Sequence, residues 1–168
     1  SVKLFKTSPQ GRELIIKTFS DGDTFNEVPV FDSEPNPISV SALEESEIWV
    51  VNPDAIRALM DKYPELCRAV VLNLAANLRM LVKLVDELSF YQVTNRLARL
   101  LSQLPRQTLA GEGTVRLTQD QIAARLGTVR EVVARSLKEL ERSGAISVRN
   151  RRIEILDRSI LENWVIAP

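Results

Sequence analysis

Hydrophobic positions in the first fifty residues fall in short runs. Val2-Lys3-Leu4-Phe5-Lys6 and Glu13-Leu14-Ile15-Ile16-Lys17 flank Ser8-Pro9-Gln10-Gly11-Arg12, a pattern that predicts a β-hairpin. Ser20-Asp21-Gly22-Asp23 reads as a turn and Ser33-Glu34-Pro35-Asn36-Pro37 as a loop. Ile38-Ser39-Val40-Ser41-Ala42 alternates with period two, and Glu47-Ile48-Trp49-Val50-Val51 reads as a further strand. Short strands separated by turn residues predict a small roll or barrel.

From Asn52 the period changes. Pro53 opens a short helix over 53–62, and Tyr63-Pro64 punctuates it. A long helix follows over about 65–91, free of Pro and Gly, with Leu66, Val70, Leu74, Leu78, Leu81, Val85 and Leu88 recurring every three or four residues. Such a stripe is either the core helix of a monomer or a seam between two chains. At roughly 1.5 Å per residue the helix spans about 40 Å, more than a small domain needs. That favours a helix–helix seam through Leu74, Leu78, Leu81, Val85 and Leu88. Thr94 is placed to cap the next helix, which runs to about Leu104 and ends at Pro105 and Gly111-Glu112-Gly113.

The most informative stretch is 115–156. Val115-Arg116-Leu117 reads as a short strand, and Thr118-Gln119-Asp120-Gln121 as a capping box that opens a helix over 119–126. Gly127 is a tight turn. Thr128-Val129-Arg130-Glu131 reads as a second capping box, opening a helix from Val129 to about Ser143 that Gly144 stops. Two short helices about a glycine turn make a helix-turn-helix pattern. At 100° per residue, Val132, Val133, Ser136, Leu137 and Leu140 share one side of the second helix; Arg130, Glu131, Ala134, Arg135 and Lys138 share the other. A solvated surface face has such a composition, and so has a face that enters a major groove, where Arg meets guanine O6 and N7 and Glu accepts from cytosine N4. Residues 145–149 and 152–156 predict a returning hairpin with Arg149, Arg151 and Arg152 near its tip, a cluster suited to phosphates. Exposed backbone N–H groups at the start of the first helix, around Thr118 and Gln119, suit a phosphate as well.

Composition narrows the chemistry. The 168 residues contain no histidine and one cysteine, Cys67. His-dependent triads, His-type zinc sites, haem ligation through His and iron–sulfur clusters are therefore excluded, as is an internal disulfide. Cys67 reads as a small buried hydrophobe. The carboxylate clusters Asp21/Asp23 and Glu44-Glu45 lie in predicted loops and read as turn chemistry, so no catalytic residue, metal or cofactor is expected. No apolar run is long enough to span a membrane and Ser1–Lys6 carries no signal-peptide core, while the single cysteine fits a reducing cytoplasm, so a cytoplasmic protein is expected. The net charge of zero conceals an asymmetry. Residues 1–94 carry 9 Lys/Arg against 14 Asp/Glu, whereas residues 95–168 carry 13 against 8. A basic C-terminal part beside an acidic N-terminal part fits a polyanion-binding module joined to something else.

These residues resemble the Crp/Fnr family of bacterial transcription regulators over essentially the whole chain. LTQDQIAARLGTVREVVARSLKELERSGAI is similar to the family's helix-turn-helix, VTNRLARLL from Val93 to the start of its DNA-binding domain, and SPQGRELIIKTFSDGDTFNEVPVF to central strands of its cyclic-nucleotide-type roll. The resemblance implies an α+β protein with a partial β-roll over 1–63, a dimerisation helix over 64–92 and a winged helix-turn-helix over 93–168. It implies a homodimer on double-stranded DNA, reading an inverted repeat of TGTGA-like half-sites centred about one helical turn apart. Arg130, Glu131 and Arg135 match the base-reading triplet, with Thr118, Gln119, Thr128, Lys138, Arg149, Arg151 and Arg152 on the backbone or flanking it. The family usually contacts RNA polymerase, and most members activate. The cyclic-nucleotide cassette departs from the pattern: Asn26 stands at its Gly, Glu27 remains, and Pro35-Asn36-Pro37-Ile38-Ser39 replaces its Arg. Without that guanidinium a cyclic phosphate loses a bidentate partner. Regulation without cyclic AMP is therefore expected. The alternative is an unknown small-molecule effector in the roll, with Glu27, Ser39 and Ser41 as pocket residues.

Overall fold

The computed structural model describes residues 1–103, 114–115, 117–149 and 152–166. The chain forms two compact units, one of residues 1–6 and 15–85, the other of 7–14 and 86–168.

Strands β1 (Val2–Thr7) and β2 (Glu13–Phe19) are joined by the expected turn, where the Gly11 N–H donates to Ser8 O at 2.9 Å. A short helix α1 (Val28–Asp32) follows, then β3 (Ser39–Ala42). The sheet order is β2-β1-β3, with β1 and β3 antiparallel and Leu4 opposite Val40. Period-two alternation sends Val2 and Leu4 to the same face, where they are buried with Phe19 against Phe25, Ile38 and Val40. This cluster is small, so the sheet rests on few side chains.

The strand expected at Glu47–Val51 does not form. No described strand pairs with it, and Trp49 and Val50 are 86% and 91% exposed. An extended segment without a neighbouring ladder has nowhere to place its backbone hydrogen bonds except water. Helix α1 went unread because its five residues are too few to show a period.

Helix α2 (Pro53–Lys62) starts as expected, with Asn52 Oδ1 accepting from the Asp54 N–H at 2.8 Å. Helix α3 (Pro64–Phe90) runs unbroken for 27 residues and buries none of its side chains. Along the stripe Leu74 is half-buried, while Leu78, Leu81, Val85 and Leu88 are exposed, Leu78 at 63% and Val85 at 62%. Cys67 is also exposed, contrary to the reading of it as a buried hydrophobe: nothing described covers that face of the helix.

The second unit contains helix α4 (Val93–Gln103), strand β4 (Thr114–Val115), helices α5 (Gln119–Leu126) and α6 (Arg130–Arg142), strands β5 (Ile146–Arg149) and β6 (Arg152–Ile155), and helix α7 (Arg158–Ile166). Its core joins Leu97, Ala98 and Leu101 of α4, Ile122, Ala123 and Leu126 of α5, Val133, Leu137 and Leu140 of α6, and Ala145, Ile146, Ile153 and Leu161 beyond. The strands form a sheet of order β4-β6-β5. Thr94 is not a cap. It lies one residue inside α4, is 5% exposed, and faces α6. Leu104, Pro105, Gly111–Gly113, Arg116 and Arg151 lie outside the described residues.

Candidate nucleic-acid interface

The capping box expected at the start of α5 is complete. Thr118 Oγ1 accepts from the Gln121 N–H at 3.1 Å, and Gln121 Oε1 accepts from the Thr118 N–H at 2.9 Å. Helix α5 ends at Gly127, whose φ of 60° and ψ of 41° lie in the left-handed region that glycine enters without cost. The Thr128 N–H then donates to Ala123 O at 3.0 Å, closing the turn.

The second capping box does not form. Helix α6 begins at Arg130, so its cap position falls to Val129, whose side chain has no acceptor. Thr128 is one place too early, and Glu131 cannot reach back as a box requires. Helix α6 still starts within one residue of the expected Val129 because Val133, Leu137 and Leu140 drop into the core.

The two faces of α6 separate as its periodicity predicts. Val133, Ser136, Leu137 and Leu140 are buried. Arg130, Glu131, Arg135 and Lys138 are exposed, and Val132 and Ala134 are half-buried. Arg130 is lightly tethered, its Nε donating to Gln119 Oε1 at 3.3 Å and its Nη1 standing 3.9 Å from Asp120 Oδ2. Both partners of that ion pair are mostly exposed, so it competes weakly with a stronger anion. Among the described residues the side chains of Glu131, Arg135 and Lys138 make no hydrogen bond or ion pair. An open groove of about 620 Å³ runs along this side of α6, lined by Arg135, Lys138, Glu139 and Arg142 and by Gln92–Thr94 at the start of α4.

Strands β5 and β6 form the expected hairpin, pairing Ile146 with Ile155 and Arg149 with Arg152. Glu141 Oε1 accepts from the Val148 N–H at 2.9 Å and so fastens the hairpin to α6. Arg149 is exposed, whereas Arg152 is half-buried and already engaged within the fold.

Two arginines brace this module. Arg96 Nη1 donates to Leu126 O at 2.7 Å, satisfying a carbonyl at the C-terminus of α5. Burial pushes its pKa down, and Glu87 partly opposes that. Arg99 reaches Glu87 at 3.0 Å, stacks 4.5 Å from the Tyr91 ring, and donates to Val165 O. Neither role was visible in the sequence, because each partner is distant along the chain or is a backbone carbonyl. Helix α7 was missed for a different reason. Its signal was present: Asp157 caps the N–H groups of Ser159 and Ile160, and Ile160, Leu161, Trp164 and Val165 repeat with helical spacing.

In the roll, Asn26, which stands where the resemblance places a glycine, has a φ of 68°, in the left-handed region that favours glycine. Glu27 is half-buried, and its Oε1 already accepts from Thr24 Oγ1 at 2.8 Å and from Asn73 Nδ2 at 2.9 Å. Ser39 is exposed on β3, and Ser41 donates to Ala42 O at 3.3 Å. Among the described residues no hydrogen bond joins Glu27 to either serine.

A three-helix core, a second helix with a free charged face and a two-stranded hairpin fastened beside it define a winged helix-turn-helix, a DNA-binding class. Family models match the chain in two places, a cyclic nucleotide-binding domain over residues 1–63 and a Crp-like helix-turn-helix domain over residues 95–164. The chain is 30% identical over 161 residues to the CRP-like cAMP-activated global transcriptional regulator of Mycobacterium tuberculosis, covering 93% of this chain and 72% of that protein. It is 30% identical over 161 residues to the cyclic AMP receptor protein of Thermus thermophilus, covering 96% and 74%. Its fold matches the c-di-GMP-responsive global regulator of Xanthomonas campestris with a TM-score of 0.80 at 22% identity, covering 93% and 80%. The chain belongs to the Crp/Fnr family of transcription regulators. Among the described residues no helix is long and apolar enough to cross a membrane.

Proposed function

We propose that this protein regulates transcription as a homodimer that reads an inverted repeat with TGTGA-like half-sites, without cyclic AMP. The observation that carries the reading is the outward face of α6, where Glu131, Arg135 and Lys138 stand exposed and without partners among the described residues. Arg130 and Arg135 are assigned to guanines and Glu131 to cytosine. Thr118, Gln119, Thr128, Lys138, Arg149, Arg151 and Arg152 are assigned to the backbone or its flanks. The stripe from Leu74 to Leu88 is assigned to the dimer seam, and RNA polymerase is the further partner that family membership implies.

Independence from cyclic AMP is supported by the cassette. Pro35-Asn36-Pro37-Ile38-Ser39 stands where the family places an arginine, and Glu27 Oε1 already accepts from Thr24 and Asn73. A second reading, a different small-molecule effector in the roll, is supported by the relatives. By their names one responds to cAMP and another to c-di-GMP, so the fold accommodates more than one signal.

Fluorescence anisotropy tests both. The purified protein is titrated with a TGTGA-type palindrome and with a scrambled duplex of equal length, at two salt concentrations, with and without cyclic AMP. Preference for the palindrome, unmoved by the nucleotide, supports the proposal. Equal binding to both duplexes overturns the half-site assignment, and affinity that rises with cyclic AMP overturns the independence.

A further inference from the structure

The outward side of α6 carries a second carboxylate within one turn of Arg135. Glu131, four residues before it, is assigned to a base; Glu139 lies four residues after it and three before Arg142. These are the spacings at which acidic and basic side chains pair along a helix. Arg135, Lys138, Glu139 and Arg142 also line the same open groove, so the carboxylate and the three cations share one space.

Yet among the described residues Glu139 pairs with none of those cations. Its Oε2 accepts a 2.7 Å hydrogen bond from Thr94 Oγ1, on the neighbouring helix α4. The Thr94 hydroxyl also lies 3.0 Å from Ser136 Oγ, and the two residues are 5% and 3% exposed. A hydroxyl has one proton to give. With that proton on the carboxylate, Ser136 donates to Thr94, and the chain Ser136 to Thr94 to Glu139 leads from the core to the groove. Each buried hydroxyl is then satisfied, which makes the arrangement hard to leave.

We propose that Thr94 is a positioning residue for DNA recognition: by holding Glu139 it keeps that carboxylate off Arg135 and leaves the guanidinium free for a base. This rests on the assignment of Arg135 to base reading. A helical ion pair would have to be broken each time Arg135 turned to guanine, and a loose carboxylate would stand near the phosphates. The bond to Thr94 removes both costs before DNA arrives.

The test compares Kd for the palindrome with Kd for the same duplex changed at the guanine assigned to Arg135, at low salt. Thr94→Val keeps the shape and loses the donor. It should lower the ratio of the two affinities about 1.5- to twofold, the scale of one helical ion pair. Thr94→Ser should keep the wild-type ratio. The double variant Thr94→Val/Glu139→Gln should recover it, because a neutral amide does not hold the guanidinium. The single and the double variant both lose the bond to Ser136, so their melting temperatures should fall alike; stability alone would give no recovery. A ratio unmoved by Thr94→Val, or a double variant as impaired as Thr94→Val, overturns the proposal. Arg135→Ala separates the two assignments. If it leaves the ratio unchanged, base reading by Arg135 fails and takes this inference with it. If it lowers the ratio while Thr94→Val does not, only the role of Thr94 fails.

Discussion

Arg135 and Arg149 are both exposed arginines on the basic part of the chain, and they should behave differently on mutation. A side chain that meets a base edge loses its contact only on the cognate sequence. Arg135→Ala should therefore cost about 1–3 kcal/mol on the palindrome and relax its base preference, read by competition anisotropy with single-base variants. Equal weakening on every duplex would remove it from base reading. Arg149, at the end of β5, should act through charge. Its replacement by Ala should weaken all duplexes and flatten the slope of log K against log salt by about one unit. A third residue tests the roll. Asn26 holds a φ of 68°, and its Oδ1 is buried without a partner among the described residues. Asn26→Gly removes the orphaned oxygen and suits the backbone. It should stabilise by about 1 kcal/mol, the unpaired acceptor outweighing the flexibility glycine adds to the unfolded chain. A lower melting temperature for Asn26→Gly would refute this.

At the scale of elements, what could be read in advance depended on whether the cause was local. Helix α5 was legible from Thr118, Gln121 and Gly127 because a capping box and a left-handed stop lie within a few residues of the helix they bound. The faces of α6 were legible because its core is periodic. Thr94 was misread because its neighbours in sequence suit a cap, while its actual partners, Ser136 and Glu139, lie more than forty residues away. Residues 47–51 have strand composition, but a strand exists only when another pairs with it. Helix α7 carries a local cause with a measurable consequence. The Ser159 hydroxyl, then the N–H groups of Ile160 and Ser159, hold the Asp157 carboxyl below its ordinary pKa. A carboxylate favoured in the fold stabilises it above the ordinary carboxylate range, and that contribution fades as pH falls through the lowered value. Asp157→Ala should therefore lower the melting temperature at neutral pH, with the difference from wild type shrinking below about pH 4. A difference that stays constant into acid would mean the cap acts without its charge.

For the whole molecule, the decisive surface is the one α3 leaves uncovered. Leu78, Leu81, Val85 and Leu88 are exposed between 40% and 63% on one stripe of a 27-residue helix. Their spacings alternate between three and four residues, the period at which two helices keep a common seam. Single exposed leucines need no explanation, but a continuous stripe of them marks an interaction surface. Pairing with a second copy would also bring two α6 helices into one particle, which an inverted repeat demands and a monomer cannot supply. Leu81→Glu separates the two functions. A carboxylate in an apolar seam faces its own copy across the interface, with desolvation and like-charge repulsion both unfavourable. On the proposed seam the wild type should sediment as a dimer, and the variant as a monomer at the same concentration. Its affinity for the palindrome should fall towards its affinity for a single half-site, because linkage between the two reading helices is lost. Half-site affinity itself should stay unchanged, since the α6 face is untouched. A dimer that survives Leu81→Glu would place the seam elsewhere, and a monomer that still prefers the palindrome over a half-site would break the connection between the stripe and the spacing of the site.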